Sequence, residues 1–267
     1  MSDVPVMLSI AGSDPSGGAG IQADLKTATA LGAYGAAVVT ALTVQNTRGV
    51  TGIQSVPPDF VADQIRSVLD DLDVGAVKIG MLGTADVVVA VSVALADADV
   101  PIVLDPVMVA TSGDRLVPSD AVDAIRTMLV PLATVVTPNV PEAAVLVGAD
   151  PAKDVDGLAE AAYALREVGA AAALVKGGHL GGDLSVDVLA DADGVRSFEA
   201  ARVSTPNTHG TGCTLSSAIA TGLALGLPLR EAVADAKAYL TGALLSGAEH
   251  SVGHGNGPVD HLWRMHQ

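Results

Sequence analysis

Val6-Met7-Leu8-Ser9-Ile10-Ala11-Gly12-Ser13-Asp14-Pro15-Ser16-Gly17-Gly18-Ala19-Gly20-Ile21-Gln22-Ala23-Asp24-Leu25 runs from an apolar strand through a glycine-rich turn into the start of a helix. The same order recurs along the chain. Short β-branched runs at 6–10, 36–39, 76–79, 102–104, 134–137 and 172–175 read as buried strands, and longer amphipathic segments at 20–31, 58–72, 85–96, 118–128, 155–167 and 213–225 read as helices. Strands separated by helices imply βαβ crossovers and a mainly parallel sheet covered on both faces. Late in the chain, 184–189 and 195–203 flank the turn-like Asp191-Ala192-Asp193-Gly194 and predict one antiparallel hairpin. The predicted class is α/β, with a mainly parallel central sheet and a late antiparallel hairpin. No internal repeat, low-complexity tail or long Pro/Gly/Ser linker divides the chain, so 1–267 is expected to be a single domain.

Composition supports a buried α/β core. Apolar residues make up 49% of the 267 residues and aromatics only 2%, so the core is expected to be built from Val, Leu, Ile and Ala. A net charge of −16 repels phosphate backbones and anionic lipid, which argues against nucleic-acid and membrane-surface partners. Any bound nucleotide then needs local compensation from a few cations, helix N-termini or Mg²⁺. Cys213 is the only cysteine, which excludes an intrachain disulfide and fits a reducing compartment. Met1-Ser2-Asp3-Val4-Pro5 carries no secretory pattern, and the uncharged run 27–47 is broken by Gly32, Gly35, Gln45 and Asn46. A soluble, cytoplasmic protein is expected.

Glycine and small polar residues gather just after the predicted strands, at 12–20, 80–84, 105–114, 137–142 and 176–183, and again before the helix at 213. Ligands of open α/β folds bind beyond the carboxyl ends of strands, so these segments locate the site. The strongest is Asn207-Thr208-His209-Gly210-Thr211-Gly212-Cys213-Thr214-Leu215, a glycine-rich loop opening a helix. Free N–H groups and the helix dipole there suit a phosphoryl group, although a plain capping loop has the same composition. No Lys follows the glycines, as a Walker A loop requires, and no GxGxxG is present in it.

Other residues along this edge carry two readings each. Cys213, in the first turn of its helix, is placed where the dipole favours a thiolate that could act as a base or hydrogen-bond partner, or it is a small buried hydrophobe. Asp24 is either a site residue or a compensator of the helix dipole. Gln45, beside Asn46, can donate and accept at once, as recognition of a heteroaromatic ring edge requires, or it can serve a turn. Asp105 and Glu142, with Asn139 between them in sequence, offer hard oxygens to Mg²⁺ or act as helix caps. Lys176 ends an apolar strand, where burial demands a phosphate or carboxylate partner unless the side chain reaches solvent. His179, His209, His250, His254, His261 and His266 lack zinc-ligand spacing with the cysteine, and His209 is a loop residue without an assigned role.

Six segments in order carry a resemblance. They are Ser16-Gly17-Gly18-Ala19-Gly20-Ile21-Gln22-Ala23-Asp24-Leu25-Lys26, Thr43-Val44-Gln45-Asn46-Thr47, Lys78-Ile79-Gly80-Met81-Leu82, Leu104-Asp105-Pro106-Val107-Met108, Thr137-Pro138-Asn139 and Thr208-His209-Gly210-Thr211-Gly212-Cys213-Thr214. From Ala11 to Pro258 the chain resembles hydroxymethylpyrimidine/phosphomethylpyrimidine kinases of thiamin synthesis, within the ribokinase-like superfamily.

The resemblance implies a ribokinase-like three-layer α/β/α fold, ATP and Mg²⁺ as cofactors, and a homodimer. The implied reaction phosphorylates 4-amino-5-hydroxymethyl-2-methylpyrimidine and then its monophosphate. It also implies that Gly12, Asp24, Gln45, Met81 and Val107 surround the pyrimidine, that Cys213 lies near the hydroxymethyl group, and that Gly210, Thr211, Gly212 and Cys213 form an anion hole. Lys176, with Asn139 and Thr211, would approach the ATP phosphates. Asp105 and Glu142 would organise Mg²⁺ through water, and Lys237 would lie on a helix beside the adenine. Related sugar kinases carry an aspartate where this chain has Cys213, which fits the pyrimidine and pyridoxal branch and leaves the proton acceptor open. A pyridoxal kinase on the same scaffold, or a non-catalytic ligand-binding domain that kept the pocket, is the alternative.

Overall fold

The computed structural model describes residues 4–108 and 116–265, with the side chain of His179 left out. Part of the polar stretch 105–114, Met1 to Asp3 and His266 therefore lie outside the described residues. Strand β1 (Val6–Ser13) leads into helix α1 (Gly20–Ala30), followed by β2 (Tyr34–Asn46), β3 (Gly49–Ser55), α2 (Pro58–Leu69), β4 (Val74–Ile79), α3 (Ala85–Leu95) and β5 (Ile102–Leu104). The second half contains α4 (Ser119–Ala124), β6 (Val135–Val136), α5 (Val140–Val147), α6 (Val155–Val168), β7 (Ala173–Lys176), β8 (Leu184–Asp191), β9 (Gly194–Ala201), α7 (Thr211–Ala224) and α8 (Leu229–Gly247). All strands join one sheet in the order β3-β2-β1-β4-β5-β6-β7-β8-β9. Pairing is parallel from β2 through β7 and antiparallel for β2–β3, β7–β8 and β8–β9.

Strand alternation divides the core in two. Leu8 and Ile10 of β1, Val77 and Ile79 of β4, Leu104 of β5 and Val175 of β7 face the layer formed by α2 to α6. Met7, Ala76, Val103, Val135 and Leu174, one residue out of step, face α1, α7 and α8. This is the three-layer arrangement expected, with the late hairpin in place.

The departures have local causes. Strand β2 runs well beyond 36–39 and turns back as β3, because Thr43 and Gln45 alternate with Leu42 and Val44 and extend the strand past its apolar section. The predicted helix 118–128 is regular only to Ala124 and continues as one π turn, Ile125–Leu129, and a 3-10 turn at Val130–Leu132, where Pro131 cannot continue the ladder. Helix α5 escaped the apolar-periodicity reading because it is only 8 residues long. It starts on a capping box in which Asn139 accepts from the Glu142 N–H and Glu142 accepts from the Asn139 N–H. Helix α8 was likewise not read from periodicity, although the resemblance put Lys237 on a helix, where it lies.

Strand order reverses at β1, whose two neighbours are β2 and β4, so a crevice opens beyond the carboxyl ends of β1 and β4. Under that crevice lies a fully buried ion pair. Lys78 Nζ of β4 donates to both carboxylate oxygens of Asp24 on α1, at 2.9 and 2.8 Å. Ser9 of β1 and Ser217 of α7 each donate to Asp24 at 2.6 Å. Burial alone would lower the Lys78 pKa, but the charge of Asp24 outweighs it and holds the ammonium protonated. Four elements are thereby tied through one carboxylate. Lys78→Met strands that carboxylate without its cation and is expected to cost about 3–5 kcal/mol, read from urea unfolding, whereas exposed Arg66→Met, which breaks a surface pair, should cost less than about 1 kcal/mol.

Candidate active site

One cavity of about 650 Å³ occupies the crevice. Gly12, Gln45, Met81, Val107, Asp105, Asn139, Glu142, Lys176, Gly210, Thr211, Gly212, Cys213 and Lys237 all line it. Asp24 does not. Its carboxylate is fully buried and spent on Lys78, Ser9 and Ser217, so the expected contact with a ring is corrected to a support beneath the cavity floor. Lys78, which the sequence reading left unused, lines the cavity in its stead. A lysine inside an apolar strand was the available signal, the same one that singled out Lys176.

The glycine loop is built for close approach. Gly210 is the N-cap of α7 at φ +80°, and any side chain there would overlap the Gly18 carbonyl oxygen. The first-turn N–H groups of Gly212 and Cys213 have no carbonyl of their own helix to bond, which leaves them for a ligand anion. Gly212 sits against the charged groups, since a Cβ there would lie 3.2 Å from Lys176 Nζ and 3.6 Å from Asp105 Oδ2. His209, without a role at the sequence level, is buried and bonds Asp14 Oδ2 through Nε2 at 2.7 Å. Asp14 also accepts from the Ser16, Gly18 and Ala19 N–H groups, so this pair locks the glycine loop of β1–α1 to the loop of α7.

At the ends of β5, β6 and β7 the charges meet. Lys176 Nζ bonds Asp105 Oδ1 at 2.8 Å, which supplies the carboxylate partner its burial demanded, and the Asp105 and Glu142 charges raise its pKa against desolvation. Burial raises Glu142 to about 7, with Lys176 opposing the shift and Asp105 adding to it. Glu142 thus serves as the α5 cap and also lines the cavity. Lys237 Nζ, farther along the wall, donates to Asp187 at 2.8 Å and Ser185 at 3.1 Å, and Asp187 in turn accepts from the Gly177 N–H.

Of the two readings of Cys213, the structure favours the un-ionised one. Desolvation by the cavity walls pushes the thiol up to about 11, aided by the charges of Asp24 and Asp105 and opposed by Lys78 and the Gly20 N–H. The helix dipole is outweighed, and the group is a thiol near neutral pH.

The other end of the cavity is less charged. Gly12 leaves room for Met81, whose Cε would stand 2.5 Å from a Cβ at that position. The Thr43 hydroxyl lies 3.0 Å from Gln45 Oε1 and 2.9 Å from the Ser13 carbonyl, so strand pairing and a neighbouring hydroxyl hold the Gln45 amide at the wall. Thr43 was missed as a site residue. Its signal was the period-2 partnership with Gln45 on one face of a strand.

His250 and His254 are exposed, and buried His261 shares a hydrogen bond with Thr214 on the far side of the loop. Asp14 is the titration probe for its tie to His209 between the two glycine loops. Burial raises its pKa, but hydrogen bonds from His209 and Ser16 overcome this and hold it at about 2, below the ordinary 3.8. Its contribution is present above the unfolded value and is lost as pH falls from about 4 toward 2. Asp14→Asn is expected to cost about 2 kcal/mol at pH 7 and progressively less below pH 4, measured by urea unfolding across that range.

Comparison with known proteins agrees with this geometry. A family model described as phosphomethylpyrimidine kinase matches residues 14–260. The hydroxymethylpyrimidine/phosphomethylpyrimidine kinase of Rhizobium meliloti is 52% identical over 259 residues, covering 97% of each chain. The Escherichia coli protein of the same name is 48% identical over 256 residues, 96% of each chain. Among solved structures, Bacillus subtilis pyridoxal kinase in an ADP complex matches with a TM-score of 0.90 at 35% identity, covering 99% of this chain and 100% of that one. Phosphomethylpyrimidine kinase from Clostridium difficile matches at 0.80 and 39% identity, covering 91% and 100%. The chain therefore belongs to the hydroxymethylpyrimidine/phosphomethylpyrimidine kinase family, ATP-dependent phosphotransferases of thiamin biosynthesis with a ribokinase-like fold.

Proposed function

We propose that this one cavity carries out both phosphoryl transfers, first to the hydroxymethyl oxygen of 4-amino-5-hydroxymethyl-2-methylpyrimidine and then to the phosphate so formed. The observation that carries this reading is the meeting of the Gly210–Cys213 loop with the Lys176–Asp105 pair in the wall of one cavity. Gln45, with Gly12, Met81 and Val107, takes the ring at the less charged end. Lys176, Asn139 and Thr211 face the phosphates, and Lys237 with Asp187 lines the nucleotide end. The N–H groups of Gly212 and Cys213 meet charge on the transferring group, where fixed dipoles act without reorganisation.

Among the described residues no group of three or more His, Cys, Asp or Glu side chains is placed to hold a metal by itself. Asp105 and Glu142 are nevertheless hard-oxygen donors in the cavity wall, a set that fits Mg²⁺ held largely through water and nucleotide oxygens. Bound there, Mg²⁺ neutralises phosphate charge. Lys176 holds Asp105 in place for it, and the α5 cap holds Glu142.

The thiol of Cys213 gives the acceptor hydroxyl a hydrogen-bond partner rather than a strong base, because it is protonated near neutral pH. A loose transition state asks little of a base, and the monophosphate is already anionic. A homodimer in the cytoplasm belongs to the same reading. Exposed Leu42 and Val44 on the outward face of β2 are surfaces a second copy could cover, and no described helix is long and apolar enough to cross a membrane.

The test is ADP release from Mg-ATP with hydroxymethylpyrimidine, its monophosphate and pyridoxal offered in parallel at equal concentration. Turnover with the first two is expected. Preference for pyridoxal would move the activity to that vitamin, and silence with all three would sink the reading. Cys213→Ala is expected to slow the first transfer by about tenfold or more and the second by less than about threefold, since only the first acceptor is a neutral hydroxyl that the thiol's hydrogen bond orients for attack. Equal losses in single-turnover rates would instead make the thiol a support for the anion loop.

A further inference from the structure

Among the described residues five basic side chains line the cavity, and four arrive with a carboxylate partner. Lys78 has Asp24, Lys176 has Asp105 and Lys237 has Asp187, each at 2.8 Å, and His209 has Asp14 at 2.7 Å. Arg202, which follows β9, is different. Its guanidinium bonds only backbone carbonyls among the described residues: Nε donates to Gly182 at 2.9 Å, Nη1 to Gly178 at 2.8 Å, and Nη2 to Leu180 and to Leu184. Its own N–H donates to the Asp183 carbonyl at 2.8 Å. The residue thus gathers the connection between β7 and β8, in which Gly177, Gly178, Gly181 and Gly182 otherwise give the backbone wide freedom. That connection starts at Lys176 and ends at Ser185 and Asp187, the partners of Lys237.

We propose that Arg202 is the positioning residue of the nucleotide end: it folds the 177–184 connection around itself as the cavity wall and supplies there a positive charge that no acid among the described residues cancels. The inference rests on the assignment of that end to the nucleotide. A polyphosphate entering a chain of net charge −16 meets lysines already paired, so an uncancelled guanidinium biases the local potential in its favour. Five donors in a planar fork satisfy four carbonyls at once, which an ammonium on a flexible stem cannot reproduce.

Calorimetric binding of ADP and of adenosine to the full chain, for wild type, Arg202→Gln and Arg202→Lys, tests it. Arg202→Gln is expected to weaken ADP on the order of tenfold while adenosine changes less than about threefold, because the lost charge acts on phosphates. Arg202→Lys should recover part of the ADP affinity, and amide exchange over 177–184 should quicken in both variants. The KM for Mg-ATP should rise with the ADP loss while the pyrimidine KM stays within about twofold. ADP affinity of Arg202→Gln within twofold of wild type, or equal weakening of ADP and adenosine, overturns the proposal. Wild-type protein that binds ADP but phosphorylates no pyrimidine would defeat the functional reading and leave Arg202 to be judged on binding alone. Wild-type protein that binds no ADP defeats both.

Discussion

Asp24 and Lys78 share a place from which water is excluded, and much of the site is built on their neutralising each other. Either charge alone would be costly at that depth. Together, with Ser9 and Ser217 completing the carboxylate's hydrogen bonds, they join β1, α1, β4 and α7 directly below the cavity. The two elements that supply glycine loops, β1–α1 and the start of α7, are thereby held in one register. Asp14 and His209 make the same connection at the upper level, between the loops themselves. The Gly210 contact with Gly18 leaves no slack between these two ties.

The electrostatics follow a consistent plan. An acidic chain that handles anionic substrates places its cations in carboxylate-bonded pairs, so no lysine of the cavity is buried alone. The pairs do more than lower burial cost. Lys176 keeps Asp105 pointed at the cavity, and Asp187 fixes Lys237 while holding the Gly177 N–H. With the lysines so engaged, the N–H groups at the α7 terminus and a guanidinium bonded, among the described residues, only to neutral carbonyls are what the cavity offers an anion without a carboxylate partner. Burial meanwhile keeps Cys213 a thiol, so positioning rather than strong basicity is the chemistry this cavity supports.

Layering was legible because continuous apolar runs such as 102–104 and 172–175 mark strands covered by helices on both faces, and that pattern needs no knowledge of distant partners. The site's position at the carboxyl edge was legible for the same reason, since glycine and small polar residues mark the points where buried strands end. A motif-level resemblance named the residues around the cavity, and every one of them lines it except Asp24. Elements whose stability is not periodic were harder to see. Helix α5 is brief and rests on its cap, and the outer half of β2 is polar on the face that meets the cavity.

By itself the sequence determined an α/β sheet, a glycine-lined ligand edge and a set of acids and bases too deeply embedded in apolar runs to be idle. Which acid partners which base was decided only by tertiary structure. The pairs Asp24–Lys78, Asp105–Lys176 and Asp14–His209 span 54, 71 and 195 positions, so they exist only once the sheet is assembled. The same holds for the thiol of Cys213. Local position at a helix start favours its ionisation, but the walls that remove water and the neighbouring carboxylates come from other parts of the chain, and desolvation at that depth outweighs a dipole.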